Sequence, residues 1–243
     1  MKDVKLKLIS QREIAEDTFE AVLAGDVSDI TAPGQFVNIK LEGHFLRRPI
    51  SVCDVSGDTL TIIYKVVGEG TRKMSHAPIG TEWQTLTGLG NGYDTSVSGD
   101  RPLLIGGGAG VPPMYMLCKK LISEGKSPTV ILGFNTEQEV FYKQEFTKLG
   151  AKVIIATADG SVGVRGFVTD AMSDLDYTYF YTCGPEPMLK AVYNASKTSG
   201  QFSFEERMGC GFGACMGCSC KTKYGNKRIC RDGPVLVKEE IVW

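Results

Sequence analysis

Four cysteines toward the C-terminal end constrain this chain more than any other feature. Cys210, Cys215, Cys218 and Cys230 give C-x4-C-x2-C, then eleven residues and a fourth Cys. That is the plant-type ligand spacing of a [2Fe-2S] cluster. Three thiolates on one tight loop wrap two irons, and a distant fourth closes the cage. Gly209, Gly211, Gly213 and Gly217 sit among the ligands. Lacking a Cβ, they let the backbone fold around a cluster and aim N–H groups at its sulfurs. A structural zinc site also takes four cysteines, but zinc ribbons prefer two C-x2-C knuckles, and only Cys215/Cys218 forms one. Cys220 competes with Cys218, and the spacing selects Cys218. Cys53 and Cys118, amid apolar neighbours, read as small core residues.

A chain of 243 residues with 42% hydrophobic and 23% charged residues is globular, with room for two domains and a small appendage. Lys and Arg number 27 against 28 Asp and Glu, a formal charge of −1. That balance argues against nucleic acid and against a polybasic membrane anchor. No stretch approaches 18 consecutive apolar residues. Met1 to Lys7 alternates charged and apolar residues and lacks the apolar core of a signal peptide. The expected location is the cytoplasm, where crowded cysteines bind metal rather than pair as disulfides.

Residues 1–98 read as short strands and turns. Phe36–Leu41 and Leu60–Val67 alternate with period two, and Ser56-Gly57-Asp58, Pro33-Gly34 and Gly88–Gly92 punctuate them. With no long helix, a small antiparallel β-barrel is expected. The texture changes at Gly99. Apolar strands at Pro102–Ile105, Val130–Phe134, Val153–Ala156 and Tyr179–Thr182 alternate with helical segments, the first at Met114–Glu124. This predicts an α/β domain with a parallel sheet over 99–204. Residues 205–243, rich in Gly and Cys, are too few for an apolar core and need a metal to organise them.

Two phosphate-binding patterns fall in the barrel. Arg47-Arg48-Pro49-Ile50-Ser51 ends one strand, and Gly68-Glu69-Gly70-Thr71 ends a later one. An Arg neutralises a pyrophosphate through forked hydrogen bonds, while the glycine turn offers backbone N–H groups and a hydroxyl. Each pattern alone is weak; on neighbouring strands they point to FAD. Two more lie in the α/β region. Gly106-Gly107-Gly108-Ala109-Gly110-Val111-Pro112-Pro113 joins a strand to a helix, with Pro113 in place of the third Gly of a dinucleotide fingerprint. Cys183-Gly184-Pro185 opens a second such corner, and two on one parallel sheet mark a ligand crevice. Glu137, just past the next strand, would repel a 2′-phosphate and favours NAD over NADP.

Taken together these residues resemble the ferredoxin-reductase-like flavoproteins over essentially the full length. The match is sharpest in Glu206–Cys218 and Cys230–Val235 and, with Arg47–Ser51 and Gly68–Thr71, is close to the electron-transfer subunits of NAD-linked dihydroorotate dehydrogenases. The resemblance implies a mixed architecture: an antiparallel β-barrel binding FAD, a parallel-sheet NAD domain and a small C-terminal [2Fe-2S] domain. It implies FAD contacts at Arg48, Pro49, Ile50 and Ser51, at Ile63, Tyr64 and Lys65, and at Gly70 and Thr71. It also implies Cys210, Cys215, Cys218 and Cys230 as cluster ligands. Gly107, Gly108, Gly110, Cys183, Gly184 and Pro185 remain the candidates for NAD.

In that family the partner is an FMN-bearing catalytic subunit that oxidises dihydroorotate to orotate in pyrimidine synthesis, in a complex with two copies of each. No dihydroorotate site or catalytic base is recognisable in this chain. Two rival readings share some of these features: a reductase subunit serving a hydrogenase or ferredoxin, and a zinc-stabilised module that only senses NAD. One departure stands out, because no flavin-covering aromatic ends the nicotinamide domain. Trp243 closes the cysteine-rich segment instead.

Overall fold

The structure, a computed structural model, describes residues 1–243. Strands β1 (Lys2–Ala15), β2 (Thr18–Ala24), β3 (Phe36–Ile39), β4 (Arg48–Ser56), β5 (Thr59–Lys65) and β6 (Glu82–Leu89) close into a barrel. Their order is β1-β2-β5-β4-β3-β6, and every neighbouring pair is antiparallel. The period-two pattern explains which side chains fill it. Leu60, Ile62 and Tyr64 point inward onto Leu6, Leu8, Leu23, Val37 and Ile39. Ile63, between them, points outward into a second core shared with the next domain. Beyond Lys65 the chain turns at Val66–Gly68 into helix α1 (Glu69–Ser75), so this strand is shorter than its alternation predicts.

The α/β region runs β7 (Pro102–Gly107), α2 (Val111–Ser123), β8 (Thr129–Phe134), α3 (Lys143–Lys148), β9 (Lys152–Thr157) and β10 (Val164–Arg165). It continues with α4 (Val168–Met172), β11 (Tyr179–Cys183), α5 (Glu186–Ala195) and β12 (Gly200–Ser203). Helix α2 starts three residues before the expected Met114. Pro112 and Pro113 occupy its first turn, where a missing N–H breaks no intrahelical bond. Its apolar face, Val111, Met114, Leu117, Cys118 and Leu121, is fully buried between the sheet and β4 of the barrel. Each such side chain contributes about 1.5–3 kcal/mol. Polar ties span the same junction: Tyr142 to Glu20 at 2.7 Å, Lys119 to Asp54 at 2.9 Å and Lys65 to Glu139 at 2.8 Å.

The last segment forms β13 (Ser219–Thr222), β14 (Gly225–Arg228), α6 (Ile229–Asp232) and β15 (Val235–Val237). The large sheet has the order β10-β9-β8-β7-β11-β12-β15, parallel throughout except for β15, which runs antiparallel to β12. Through β15 the cysteine-rich segment adds itself to the sheet. Ile229, Leu236 and Ile241 share a core with Leu103, Phe180 and Phe202, and Trp243 packs on Tyr193 and Phe204. No helix is long and apolar enough to cross a membrane.

Candidate redox cofactor site

The cysteine loop is shaped by left-handed backbone. Gly211 has φ +79° and Gly213 φ +92°, and Met216 also takes a positive φ of 61°. These turns aim N–H groups inward: Ala214 N–H and Cys215 N–H donate to Cys210 Sγ at 3.2 and 3.4 Å. The β13–β14 hairpin then returns the chain, so that Cys230 on α6 donates its N–H to Cys218 Sγ at 3.4 Å. Arg228 holds the two halves together by donating to Gly213 O at 2.7 Å and to Asp232 at 3.2 Å.

The thiols therefore stand as two pairs, Cys210 with Cys215 and Cys218 with Cys230. No three of them converge as ligands of one ion. A mononuclear zinc needs four sulfurs around one point. A two-iron cluster takes two sulfurs on each iron, which this pairing supplies, so the residues fit the cluster. Burial pushes the Cys210 thiol up, but the N–H groups of Cys215, Phe212 and Ala214 outweigh it and bring it down to about 6. Burial, with the Cys218 thiol beside it, pushes Cys230 up to about 12. Cys220 is turned away, onto a cleft wall with Met208 and Trp243.

In the barrel, Arg48, Pro49, Ile50 and Ser51 open β4 rather than end a strand, and Gly70 and Thr71 lie in the first turn of α1. The structure brings the two together: a Cβ on Gly70 would strike the Arg48 guanidinium. The Thr71 hydroxyl is committed to the turn itself, accepting from Val67 N–H at 3.0 Å and donating to Gly68 O at 3.2 Å. Anion-binding capacity here thus rests on Arg48 and the backbone rather than on that hydroxyl. Of the second segment, Ile63 and Lys65 face the domain junction. Tyr64 points into the barrel and donates to Gln11 at 2.9 Å, leaving only its backbone for a ligand.

The two glycine corners end adjacent parallel strands, with Cys183 beside Gly106 in register. Gly110 lies so close to the Cys183 carbonyl that it admits no Cβ, and a Cβ on Gly107 would push the Met188 side chain aside. Gly108, at φ +50°, faces open space. Both corners, through Gly107, Gly108 and Pro185, line a cavity of about 420 Å³ with Phe134, Asn135 and Glu139. Such a crevice at the carboxyl ends of the strands suits a dinucleotide. The carboxylate on its wall is that of Glu139. Glu137 does not line it, because the short turn Glu137–Glu139 carries Glu137 out to solvent. Glu139 accepts from Asn135 N–H at 3.1 Å and from Asn135 Nδ2 at 2.9 Å as well as from Lys65.

A larger cleft, about 650 Å³, lies where all three parts meet. Arg48 and Pro49 form one wall, Gly184 and Pro185 another, and Glu205–Met208, just ahead of Cys210, a third. Trp243 borders it. Its ring sits on Phe204 and Tyr193, and its buried Nε1 has no partner. Sequence reasoning missed Glu139 and Asn38. The latter is a buried side chain of β3 that donates to the Cys210 carbonyl, and a lone Asn within a strand carries no signal of such a role.

Comparison with known proteins gives the class first. A solved NADH-dependent reduced ferredoxin-NADP oxidoreductase superposes with a TM-score of 0.89 at 28% identity, covering all of this chain and 91% of its own. A ferredoxin reductase of carbazole 1,9a-dioxygenase shares the fold at a TM-score of 0.70 and 20% identity, over 80% of this chain and 65% of its own. The fold is that of ferredoxin-reductase-like oxidoreductases, carried through into a cysteine-rich C-terminal segment. Residues 104–194 match the oxidoreductase NAD-binding domain family. Residues 205–242 match the iron-sulfur cluster binding domain of dihydroorotate dehydrogenase B.

Curated relatives narrow the family. The dihydroorotate dehydrogenase B (NAD(+)) electron transfer subunit of Fusobacterium nucleatum is 45% identical over 94% of both chains. That of Shouchella clausii is 43% identical over 99% of this chain and 98% of its own. The chain belongs to the electron transfer subunits of the NAD-dependent dihydroorotate dehydrogenase B, an oxidoreductase family.

Proposed function

We propose that this chain takes electrons from the FMN of a dihydroorotate-oxidising catalytic subunit and delivers them, by way of a [2Fe-2S] cluster and FAD, to NAD+ in pyrimidine synthesis. The single observation that carries this is the cleft in which Arg48–Pro49, Gly184–Pro185 and the approach to Cys210 meet. NAD accepts two electrons together and a [2Fe-2S] cluster carries one, so a flavin, which does both, belongs between them.

The chain's own residues hold and orient. Cys210, Cys215, Cys218 and Cys230 hold the cluster in two pairs. Arg48, Pro49, Ile50 and Ser51, the edge Ile63–Tyr64–Lys65, and Gly70–Thr71 hold the FAD. Gly107, Gly108, Gly110, Cys183, Gly184 and Pro185 hold the NAD. Glu139 on the cavity wall disfavours a 2′-phosphate. In this reading the chain divides near 98 and 204 into barrel, nicotinamide and cluster domains, with β15 of the last joining the sheet of the second. The complex contains two copies of each subunit and works in the cytoplasm.

The test is reconstitution with the FMN subunit. The purified chain is expected to be coloured, to contain iron, acid-labile sulfide and FAD, and to support dihydroorotate-dependent reduction of NAD+. A colourless zinc protein would eliminate the reading. Coupling to ferredoxin with no response to dihydroorotate would transfer it to a ferredoxin-linked reductase.

A further inference from the structure

Between the barrel and residues 205–243 every hydrogen bond is made by one of two asparagines. Asn38, on β3, donates from Nδ2 to the Cys210 carbonyl at 3.3 Å. Asn91, just past β6, donates from Nδ2 to the Val235 carbonyl at 2.8 Å and accepts from Val235 N–H at 3.1 Å. Its own N–H donates to Gly233 O at 2.7 Å. One asparagine thus grips the three-cysteine loop at its first ligand, and the other grips the stretch that follows the fourth. Packing tightens both points. A Cβ on Gly211 would collide with Asn38 Nδ2, and one on Gly90 with the Pro234 ring.

Asn38 is 1% exposed, and its Oδ1 has no partner. A buried amide with half of its capacity unmet is destabilising relative to an apolar side chain of similar shape. Core packing alone does not account for it; the bond to Cys210 does. Its place in the sheet adds a second reason. Asn38 pairs directly with Pro49 of the flavin-binding strand, and its carbonyl accepts from Arg47 at 3.3 Å. A single residue therefore connects the strand assigned to the flavin with the backbone of a cluster ligand.

We propose that Asn38 and Asn91 are positioning residues that fix the iron-sulfur loop against the flavin barrel, Asn38 at Cys210 and Asn91 behind Cys230, and so set the geometry for electron passage between the two cofactors. The inference rests on the function proposed above. It concerns groups around the ligands, whose loss in metal sites commonly costs about 10–100-fold in affinity or activity.

Asn38→Leu in the holoprotein is the direct test, since Leu keeps the branching at Cγ and removes both the bond and the orphaned oxygen. Iron, labile sulfide and FAD content, and the rate at which NADH bleaches the FAD, are expected to match wild type. Passage of electrons on to the cluster is expected to slow about tenfold. The EPR spectrum of the reduced cluster is expected to shift, and amide hydrogen exchange over residues 209–216 to rise. Wild-type values for the transfer rate, spectrum and exchange together overturn the proposal. If the Leu variant does not retain its cluster, Asn91→Ala provides the same readouts from the other anchor, and wild-type values there overturn it equally. Absence of iron and sulfide from the wild-type chain would overturn the functional reading instead, a different result from normal behaviour of the variants.

Discussion

The barrel and the cysteine-rich segment achieve order by opposite means. The barrel closes on itself, so its strands have no free edges and its interior is filled by its own Leu, Ile and Val side chains. The segment from 205 to 243 takes its order from outside: a strand lent to the neighbouring sheet, a shared core around Phe202, two asparagines of the barrel, and thiols that metal would tie. A region specified by packing tolerates loss of a ligand and suffers from a cavity. A region specified by anchors and ligands does the reverse.

The strongest way to break this contrast is to remove a ligand. Cys230→Ser is expected to eliminate the cluster's iron and visible absorption and to abolish NAD+ reduction coupled to the catalytic subunit. The barrel and nicotinamide cavity, which owe nothing to that sulfur, are expected to keep FAD and dye reduction by NADH. The same change at Cys220, which faces the cleft wall, leaves the iron content unchanged. Loss of FAD along with the cluster in Cys230→Ser would show that the barrel is not self-sufficient.

The converse change is a cavity in the barrel. Leu60 is fully buried in the interior, and Leu60→Ala is expected to cost about 2–5 kcal/mol. Chemical denaturation followed by flavin fluorescence measures it, with the reduced-cluster spectrum unaltered in the surviving folded protein. A cost below about 1 kcal/mol would mean that the barrel interior collapses around the gap.

What the sequence reveals follows the same division. Period-two alternation over Leu60–Val67 finds the barrel strand at Thr59–Lys65, overrunning its end by two residues, because packing repeats every second residue, and the glycine corners are legible because close backbone approach excludes a Cβ. The cysteine spacing is legible because a cluster fixes it. Relations made once, between distant residues, leave no periodic trace. Asn38 reaches Cys210 across 172 positions. The run Val235-Leu236-Val237 reads as apolar without revealing that it joins β12 as the seventh strand. Glu137 stands where strand-end reasoning places the ribose-facing acid. A single short turn instead brings Glu139, two residues on, to the cavity wall.

That exchange supports the smallest prediction, at the junction of barrel and sheet. Burial alone would raise the Glu139 carboxyl, but Lys65 and the two Asn135 donors outweigh it and hold the group below the ordinary range. A carboxylate depressed in the folded state contributes stability that is complete above its unfolded pKa and is lost as pH falls through its folded one. Lys65 is 38% exposed and Glu139 17%, so screening keeps the ion pair itself to about 0.2–1 kcal/mol. Glu139→Gln is therefore expected to lower stability slightly at pH 7. The gap between variant and wild type should begin to close as pH drops below the ordinary glutamate range and vanish only below the depressed folded pKa, where the wild-type carboxyl is protonated too. Denaturation curves at pH 7 and pH 3.5 measure the gap. On the ligand side the same variant is expected to narrow the preference for NADH over NADPH, read as the ratio of kcat/KM values, because the carboxylate that repels a 2′-phosphate is gone. A stability gap that persists at low pH would assign Glu139 a packing role. An unchanged cofactor preference would place the ribose-facing acid elsewhere and return the specificity of this cavity to its shape.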